Sequence, residues 1–455
     1  MLRRVSIFLC CMFACMQAES IGDSTYNATL KNQNDATMPI ELQIESVLRN
    51  NTSGITLKEL LQSANNNYSI QAQDLLAQQA SNDHTVQILA LIPTLDVKYN
   101  FNHSYASVPV DYSTQNANLA FNMKIDYADY NSIKEKGATA IKTSYDSKYT
   151  KQNIYLQIVQ QYYTYFSNES KLLTLQQKLE QINSDVDRVQ KLYNQGLKTI
   201  ADLESLKSQA SLTQYQIDDA KLALEQSKLM LEYLTNTKIN ALKRVDIESP
   251  SYKLQDRSDI KSLEYQVQSQ KYQNKTLHYF PVLNIQDTYT YNIQIPYFAE
   301  ALMHNTNGMA LPPSILANFA TNQNTFSVVL SYGLFAKIGQ SVQKQSFRLA
   351  QLATEKNLAY KKSEQKKDEE LYRKAIEVAQ NQIKSARASL VSANLSYDNM
   401  KKRYDANLVT FTEYLQALST KYDAESTFIQ ALNNYEIQKA NYIFYSGQDL
   451  EEYIR

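Results

Sequence analysis

The stretch Pro281-Val-Leu-Asn-Ile-Gln-Asp-Thr-Tyr-Thr-Tyr-Asn-Ile-Gln-Ile295 decides the fold. Leu283, Ile285, Tyr289, Tyr291, Ile293 and Ile295 share one parity, and Asn284, Gln286, Thr288, Thr290, Asn292 and Gln294 the other. Successive strand side chains point to opposite faces, so this period of two gives one apolar and one polar face. A half-covered sandwich strand reads this way. So does a transmembrane barrel strand, whose apolar face meets lipid while its polar face lines a wet lumen. Asp287 falls on the apolar parity. Either the lipid band begins beyond it or the register breaks there.

The same alternation recurs outward from this stretch. Leu95, Val97, Tyr99 and Phe101 oppose Asp96, Lys98, Asn100 and Asn102, and Leu119, Phe121, Met123, Ile125 and Tyr127 oppose Ala120, Asn122, Lys124 and Asp126. A last run follows Phe326, Val328, Leu330, Tyr332 and Leu334. The expected strands are 94–105, 117–127, 282–295 and 325–334. Four strands of about ten residues are long enough to span a bilayer, but closing a barrel takes about eight or more. Open edges are not tolerated in lipid, so self-assembly is the natural escape: three copies give about twelve strands around a polar bore. The tyrosines of these strands (Tyr99, Tyr105, Tyr127, Tyr289, Tyr291, Tyr332) suit interfacial girdles. A soluble helical protein with two surface hairpins is the competing reading.

Proline placement organises the rest. None lies between Pro109 and Pro250 and none follows Pro313, so two long tracts carry almost nothing that breaks a helix. In the first, Leu203, Leu206, Ala210, Thr213, Ile217, Ala220, Leu224, Ser227, Leu231 and Leu234 alternate spacings of three and four, the repeat of coiled-coil packing. Tyr193-Asn-Gln-Gly-Leu-Lys-Thr-Ile-Ala-Asp202 aligns without gaps with Tyr404-Asp-Ala-Asn-Leu-Val-Thr-Phe-Thr-Glu413, and Ile92-Pro-Thr-Leu-Asp-Val97 with Phe280-Pro-Val-Leu-Asn-Ile285. Two internal repeats follow, each reading helix, strand, loop, strand, long helix, turn, helix.

The 455 residues contain 46 Lys plus Arg against 46 Asp plus Glu, a zero formal charge that argues against a nucleic-acid groove. Arg3 and Arg4 precede an apolar run from Val5 to Met16, too short to span a bilayer and laid out as a secretory signal with cleavage expected after Ala18 or Ser20. All three cysteines (Cys10, Cys11, Cys15) lie in this segment, so a chain cleaved there has neither disulfide nor thiol nucleophile. Cys15 after Ala14 is an alternative lipid-attachment site that Met12 and Phe13 fit poorly. No GxSxG, HExxH, CxxC or phosphate-cradling loop occurs, so no enzyme and no cofactor is expected. Met303, His304 and Met309 cluster without a fixed ligand spacing and read as loop residues, so no metal site is expected either.

In these features the chain resembles the TolC family of outer-membrane efflux channels. The likeness rests on the helix-to-strand junctions at Pro93 and Pro281, on Ser331-Tyr-Gly-Leu-Phe335 ahead of a long helix, and on the tips Tyr193-Asn-Gln-Gly-Leu197 and Tyr404-Asp-Ala-Asn-Leu408. The resemblance implies an α+β membrane protein. Each repeat contributes a β-hairpin to a trimeric 12-stranded outer-membrane β-barrel, and long α-helices form a periplasmic coiled-coil tunnel. It implies a homotrimer in outer-membrane lipid, docked to a periplasmic adaptor (membrane fusion) protein and an inner-membrane transporter, passing drugs, metal ions or proteins. The layout expected is a signal peptide at 1–18, an N-terminal periplasmic segment at 19–54, a first repeat at 55–236, a linker at 237–257, a second repeat at 258–447 and a tail at 448–455. A periplasmic or surface coiled-coil scaffold without a pore is the alternative.

Carried over position by position, the resemblance puts Glu413 on the first acidic ring of the pore constriction and Gln416, neutral here, on the second. Asp202 and Tyr404 match a linked gate pair, while Val409 and Ala201 replace the partners of another link. Glu413 and Asp202 can equally be ordinary carboxylates in the first turn of a helix, where the dipole favours them. Gly196 with Leu197, and Asn407 with Leu408, resemble adaptor-docking tips and also read as helix C-caps. Tyr289, Tyr291, Ile293 and Ile295 are the expected lipid-facing residues.

Overall fold

The computed structural model describes residues 54–105, 112–295, 320–406 and 408–454. The signal segment with Cys15, the loop residues Met303, His304 and Met309, and Asn407 lie outside the described residues.

Four strands, β1 (Thr94–Ser104), β2 (Tyr112–Ile125), β3 (Val282–Gln294) and β4 (Asn322–Ser331), form one antiparallel sheet in chain order. Its register sets Leu95, Phe121, Asp287 and Phe326 in one row, and Ile125, Leu283 and Leu330 in another. The apolar parities of all four strands therefore share a face. Val97, Leu119, Tyr289 and Val328 are exposed on it among the described residues. Side-chain hydrogen bonds knit the other face: Asn100 donates to Asn116 (2.8 Å) and Asn122 to Asp96 (2.9 Å). Asp287 stands on the apolar face between Phe121 and Phe326, and its Oδ1 has no partner among the described residues.

One irregularity corrects the parity reading. The register shifts at Gln115, which pairs with Gln294, while Asn116 pairs with Asn292, so Ile293 is skipped as a bulge. An extra residue turns the strand beyond it over. Gln294 accordingly bonds Gln115 (2.9 Å), which accepts from Tyr99 on the apolar side (3.1 Å). The alternation that assigns Ile293 and Ile295 to the lipid face does not carry past this bulge, and Ile295 lies one residue beyond the end of β3. Other strand ends also move. β2 begins at Tyr112 and stops at Ile125 because Asp126 accepts the Ala128 N–H (2.9 Å) and starts the next helix at Tyr127. β4 closes at Ser331, leaving Tyr332 and Leu334 past it.

The helices are α1 (Leu57–Ser63), α2 (Tyr68–Leu89), α3 (Tyr127–Asn194), α4 (Ile200–Thr235), α5 (Ser258–Thr276), α6 (Ala336–Asp405) and α7 (Phe411–Tyr445). α3 has 68 residues and α6 has 70, each roughly 100 Å at 1.5 Å per residue. Both are free of proline, and each contains one glycine, Gly137 or Gly339. None of the described helices is long and apolar enough to cross a membrane. α3 and α6 end, and α4 and α7 begin, at the offset that aligns the two halves of the sequence.

The chain divides into two compact units. One holds Tyr68–Gln152 and Leu254–Asp368, with the sheet, α2 and α5. The other holds the described parts of Met1–Asn67, Asn153–Lys253 and Glu369–Arg455. In it α4 buries Leu203, Leu206, Thr213, Ile217, Ala220, Ser227, Leu231 and Leu234, most of the seam that its heptad spacing marks. The irregular segment after α4 is strapped down by tyrosines: Tyr163 donates to the Val245 carbonyl (2.6 Å), and Tyr162 accepts from the Val245 N–H (3.1 Å). Glu436 accepts the Ile247 N–H (2.7 Å) and pairs with Lys439 (2.8 Å), which donates to the Ile247 carbonyl.

Burial pushes the Glu169 carboxyl on α3 up to about 7. The native state therefore holds a proton that the unfolded chain releases above its ordinary value of 4.5, so stability falls as pH rises through this window and levels off above about 7. Glu169→Gln should flatten that slope and stabilise the protein at pH 8 by about 1–3 kcal/mol. Denaturation midpoints at pH 5 and pH 8 test it; an unchanged slope in the variant rejects it.

Candidate functional site

Two helical turns of the second unit close with matching hydrogen bonds. After α3, Gly196 takes a left-handed φ of 74°, and the Leu197 N–H bonds the Leu192 carbonyl (2.9 Å). After α6, the Leu408 N–H bonds the Arg403 carbonyl (2.8 Å). Both motifs satisfy carbonyls that a helix end leaves open. They also turn Leu197 and Leu408 outward, 67% and 70% exposed. The next helices start alike. Thr199 caps α4 in a reciprocal box with Asp202, and Thr410 caps α7 in one with Glu413. The T-x-x-D/E spacing that builds these boxes was legible in the sequence.

The boxes settle what the two carboxylates bond within the chain. Glu413 accepts from the Thr410 N–H and hydroxyl, both at 2.7 Å, and these bonds hold its carboxyl below the usual range. It remains exposed, with Gln416 exposed one turn on. Asp202 accepts from the Thr199 N–H and does not bond Tyr404. The expected Asp202–Tyr404 link is not formed within the described residues of the single chain, where the Asp202 carboxylate bonds its own helix start.

Tyr404 is buried, stacked on Tyr414 at 4.9 Å with planes 11° apart. The Arg188 guanidinium and Lys198 ammonium lie 5.2 and 4.8 Å from its ring centroid. Its hydroxyl has no hydrogen-bond partner among the described residues, and burial raises its pKa. The polar links that do join α3 to α6 and α7 were missed in the sequence. Arg188 on α3 pairs with Asp405 on α6 at 2.5 Å, and Tyr414 on α7 donates to Asp185 on α3 at 2.7 Å. Lys178 donates to Ser419 at 3.0 Å. Partners more than 200 residues apart leave no local signal.

At the sheet, Tyr289 and Tyr291 stand exposed on the apolar face, as their parity requires. Among the described residues there is no cluster of three or more metal-ligating side chains.

A four-stranded sheet that ends at β1 and β4, an apolar face exposed among the described residues, and helices of 68 and 70 residues that follow β2 and β4 in the chain define a class: the fold is that of the TolC-type outer-membrane channels. Among solved structures, the CmeC outer membrane channel of Campylobacter jejuni superposes with a TM-score of 0.74 at 15% identity, covering 86% of this chain and 85% of that one. The outer membrane protein VceC of Vibrio cholerae gives 0.73 at 13% identity, covering 87% and 96%. The open state of the Neisseria gonorrhoeae MtrE outer membrane channel gives 0.66 at 16%, covering 87% and 89%. No protein-family model and no curated protein sequence matches the chain.

Proposed function

We propose that the protein is a passive exit duct of a bacterial outer membrane, assembled as a homotrimer. Its three sheets close a twelve-stranded barrel, and its helices line a tunnel through the periplasm. The observation that carries this reading is the four-stranded sheet, which ends at β1 and β4 and has an apolar face that stays exposed among the described residues. Such edges and such a face need partners, and copies of the same sheet in lipid supply both. The exposed turns at Leu197 and Leu408, with Gly196 and Asn407 beside them, would meet a periplasmic adaptor that connects the duct to an inner-membrane transporter. That transporter would choose among drugs, metal ions and proteins. Transport of this kind needs no catalytic residue and no cofactor. Purified protein that migrates as a heat-sensitive trimer and conducts ions in a planar bilayer supports the reading; a protein that forms no pore is the coiled-coil scaffold instead.

Within that reading, three Glu413 carboxylates and three Gln416 side chains ring the axis at the helix turns. A focused negative field there favours cations, most at low ionic strength. Glu413→Gln should shift the reversal potential across a salt gradient toward non-selectivity while the trimer persists. An unchanged reversal potential leaves Glu413 as a helix cap alone.

A further inference from the structure

The apolar face of the sheet does not stop where the strands end. Ile125 closes β2 on that face, and Tyr127 and Tyr130 continue it onto the first turns of α3, ring to ring at 6.5 Å. One turn on, the Lys134 ammonium sits 4.5 Å from the Tyr130 ring centroid and 5.7 Å from that of Tyr272 on α5. The Lys275 ammonium lies 5.5 Å from the same Tyr272 ring. Both lysines are exposed, and among the described residues neither carries an acidic partner. Lys124, by contrast, is matched by Asp126 (2.9 Å) and Asp129 (3.1 Å).

Around the start of α3, Lys124, Lys134 and Lys136 are matched in number by Asp126, Asp129 and Glu135, but the segments at the end of α5 and at the start of α6 are lopsided in a chain that is neutral as a whole. Segments 270–280 and 332–346 hold Lys271, Lys275, Lys337 and Lys344 and no aspartate or glutamate. Lys337 lies 5.6 Å from the Tyr332 ring and Lys344 5.3 Å from the Tyr279 ring, so the pattern of lysine over tyrosine repeats at the helix-to-strand junctions. A tyrosine ring is content at a bilayer boundary, apolar body inward and hydroxyl to water. A lysine resting on it is held at the height of the headgroups by the ring quadrupole.

We propose that Lys134 and Lys275, seated on Tyr130 and Tyr272, form a phosphate-binding collar for anionic phospholipid headgroups on the periplasmic side of the barrel. The inference rests on the membrane reading above. The collar fixes the depth of the sheet in the bilayer, because lipid tails cover the sheet face and headgroup phosphates meet the ammonium groups one helical turn below it. A basic residue close to an anionic surface contributes about fivefold in affinity. Two per chain therefore give a preference for anionic over zwitterionic lipid of about 10- to 30-fold at low salt.

The chain contains no tryptophan, so Tyr130→Trp places a unique fluorophore under Lys134 while keeping an aromatic seat. The trimer carrying this reporter is reconstituted with brominated phosphatidylglycerol or brominated phosphatidylethanolamine as quencher, and the relative binding constants are read from the quenching. The collar predicts stronger quenching by phosphatidylglycerol, falling with salt. It also predicts loss of that preference in Lys134→Gln with Lys275→Gln, and its retention in Lys207→Gln with Lys221→Gln on α4. Equal quenching by both lipids in the parent, or an unaltered preference after removal of Lys134 and Lys275, overturns the collar and leaves the membrane reading standing. A reporter that neither lipid quenches overturns both. Migration as a heat-sensitive trimer verifies that each variant is assembled.

Discussion

Tyr289→Arg should block barrel assembly, whereas Gln286→Arg, three residues away on the same strand, should leave it intact. Tyr289 is midway along β3, 44% exposed on the apolar face, and pairs with Leu119. In a lipid-bounded barrel an arginine there must leave its charge in hydrocarbon or distort the bilayer to reach water, a cost of about 2–4 kcal/mol per chain near the midplane. Three chains share the defect. Gln286 projects from the other face, where its amide donates to the Thr288 hydroxyl (3.2 Å) and an arginine would find water. The fraction of heat-modifiable trimer in outer-membrane extracts reads both outcomes. Equal loss in the two variants would mean that β3 has no lipid boundary. Ile293 is a poorer site for the same experiment, because the bulge removes it from the alternation.

Glu436→Ala should destabilise the protein more than any single change at the helix turns, by about 3–5 kcal/mol. Glu436 and Lys439 are both nearly buried, paired at 2.8 Å, and together they clamp the N–H and carbonyl of Ile247. Burial raises the Glu436 carboxyl even though Lys439 opposes the shift. Desolvation therefore weighs heavily here, and the pair holds its place through its hydrogen bonds to the irregular segment. Removing the carboxylate strands a buried ammonium and an unpaired backbone N–H. The double substitution Glu436→Leu with Lys439→Met removes both charges and should cost less than Glu436→Ala alone. Denaturation midpoints of the purified protein order the two; a double variant no more stable than the single one would show that shape, not charge, fixes the site.

Much of this architecture was written locally. Strand parity around Tyr289, the proline-free tracts, the seam from Leu203 to Leu234 and the left-handed turn at Gly196 are each encoded within a few residues, because alternation, helical periodicity and turn conformation are properties of short segments. The capping boxes at Thr199 and Thr410 belong to the same class. Asp287 was legible as a misfit, and the structure keeps it on the apolar face beside Phe121 and Phe326. What only the tertiary structure decided depends on which faces meet. The bulge at Ile293 comes from aligning β3 against β2, more than 150 residues away in the chain. The Arg188–Asp405 and Asp185–Tyr414 bridges join α3 to α6 and to α7. The seating of Lys134 between Tyr130 and Tyr272 requires α3 and α5 side by side. Asp202 gives the contrast in one residue. Its place in a helix start was in the sequence, because a capping box joins residues three apart, whereas its distance from the Tyr404 hydroxyl depends on how two helices more than 200 residues apart in the chain pack.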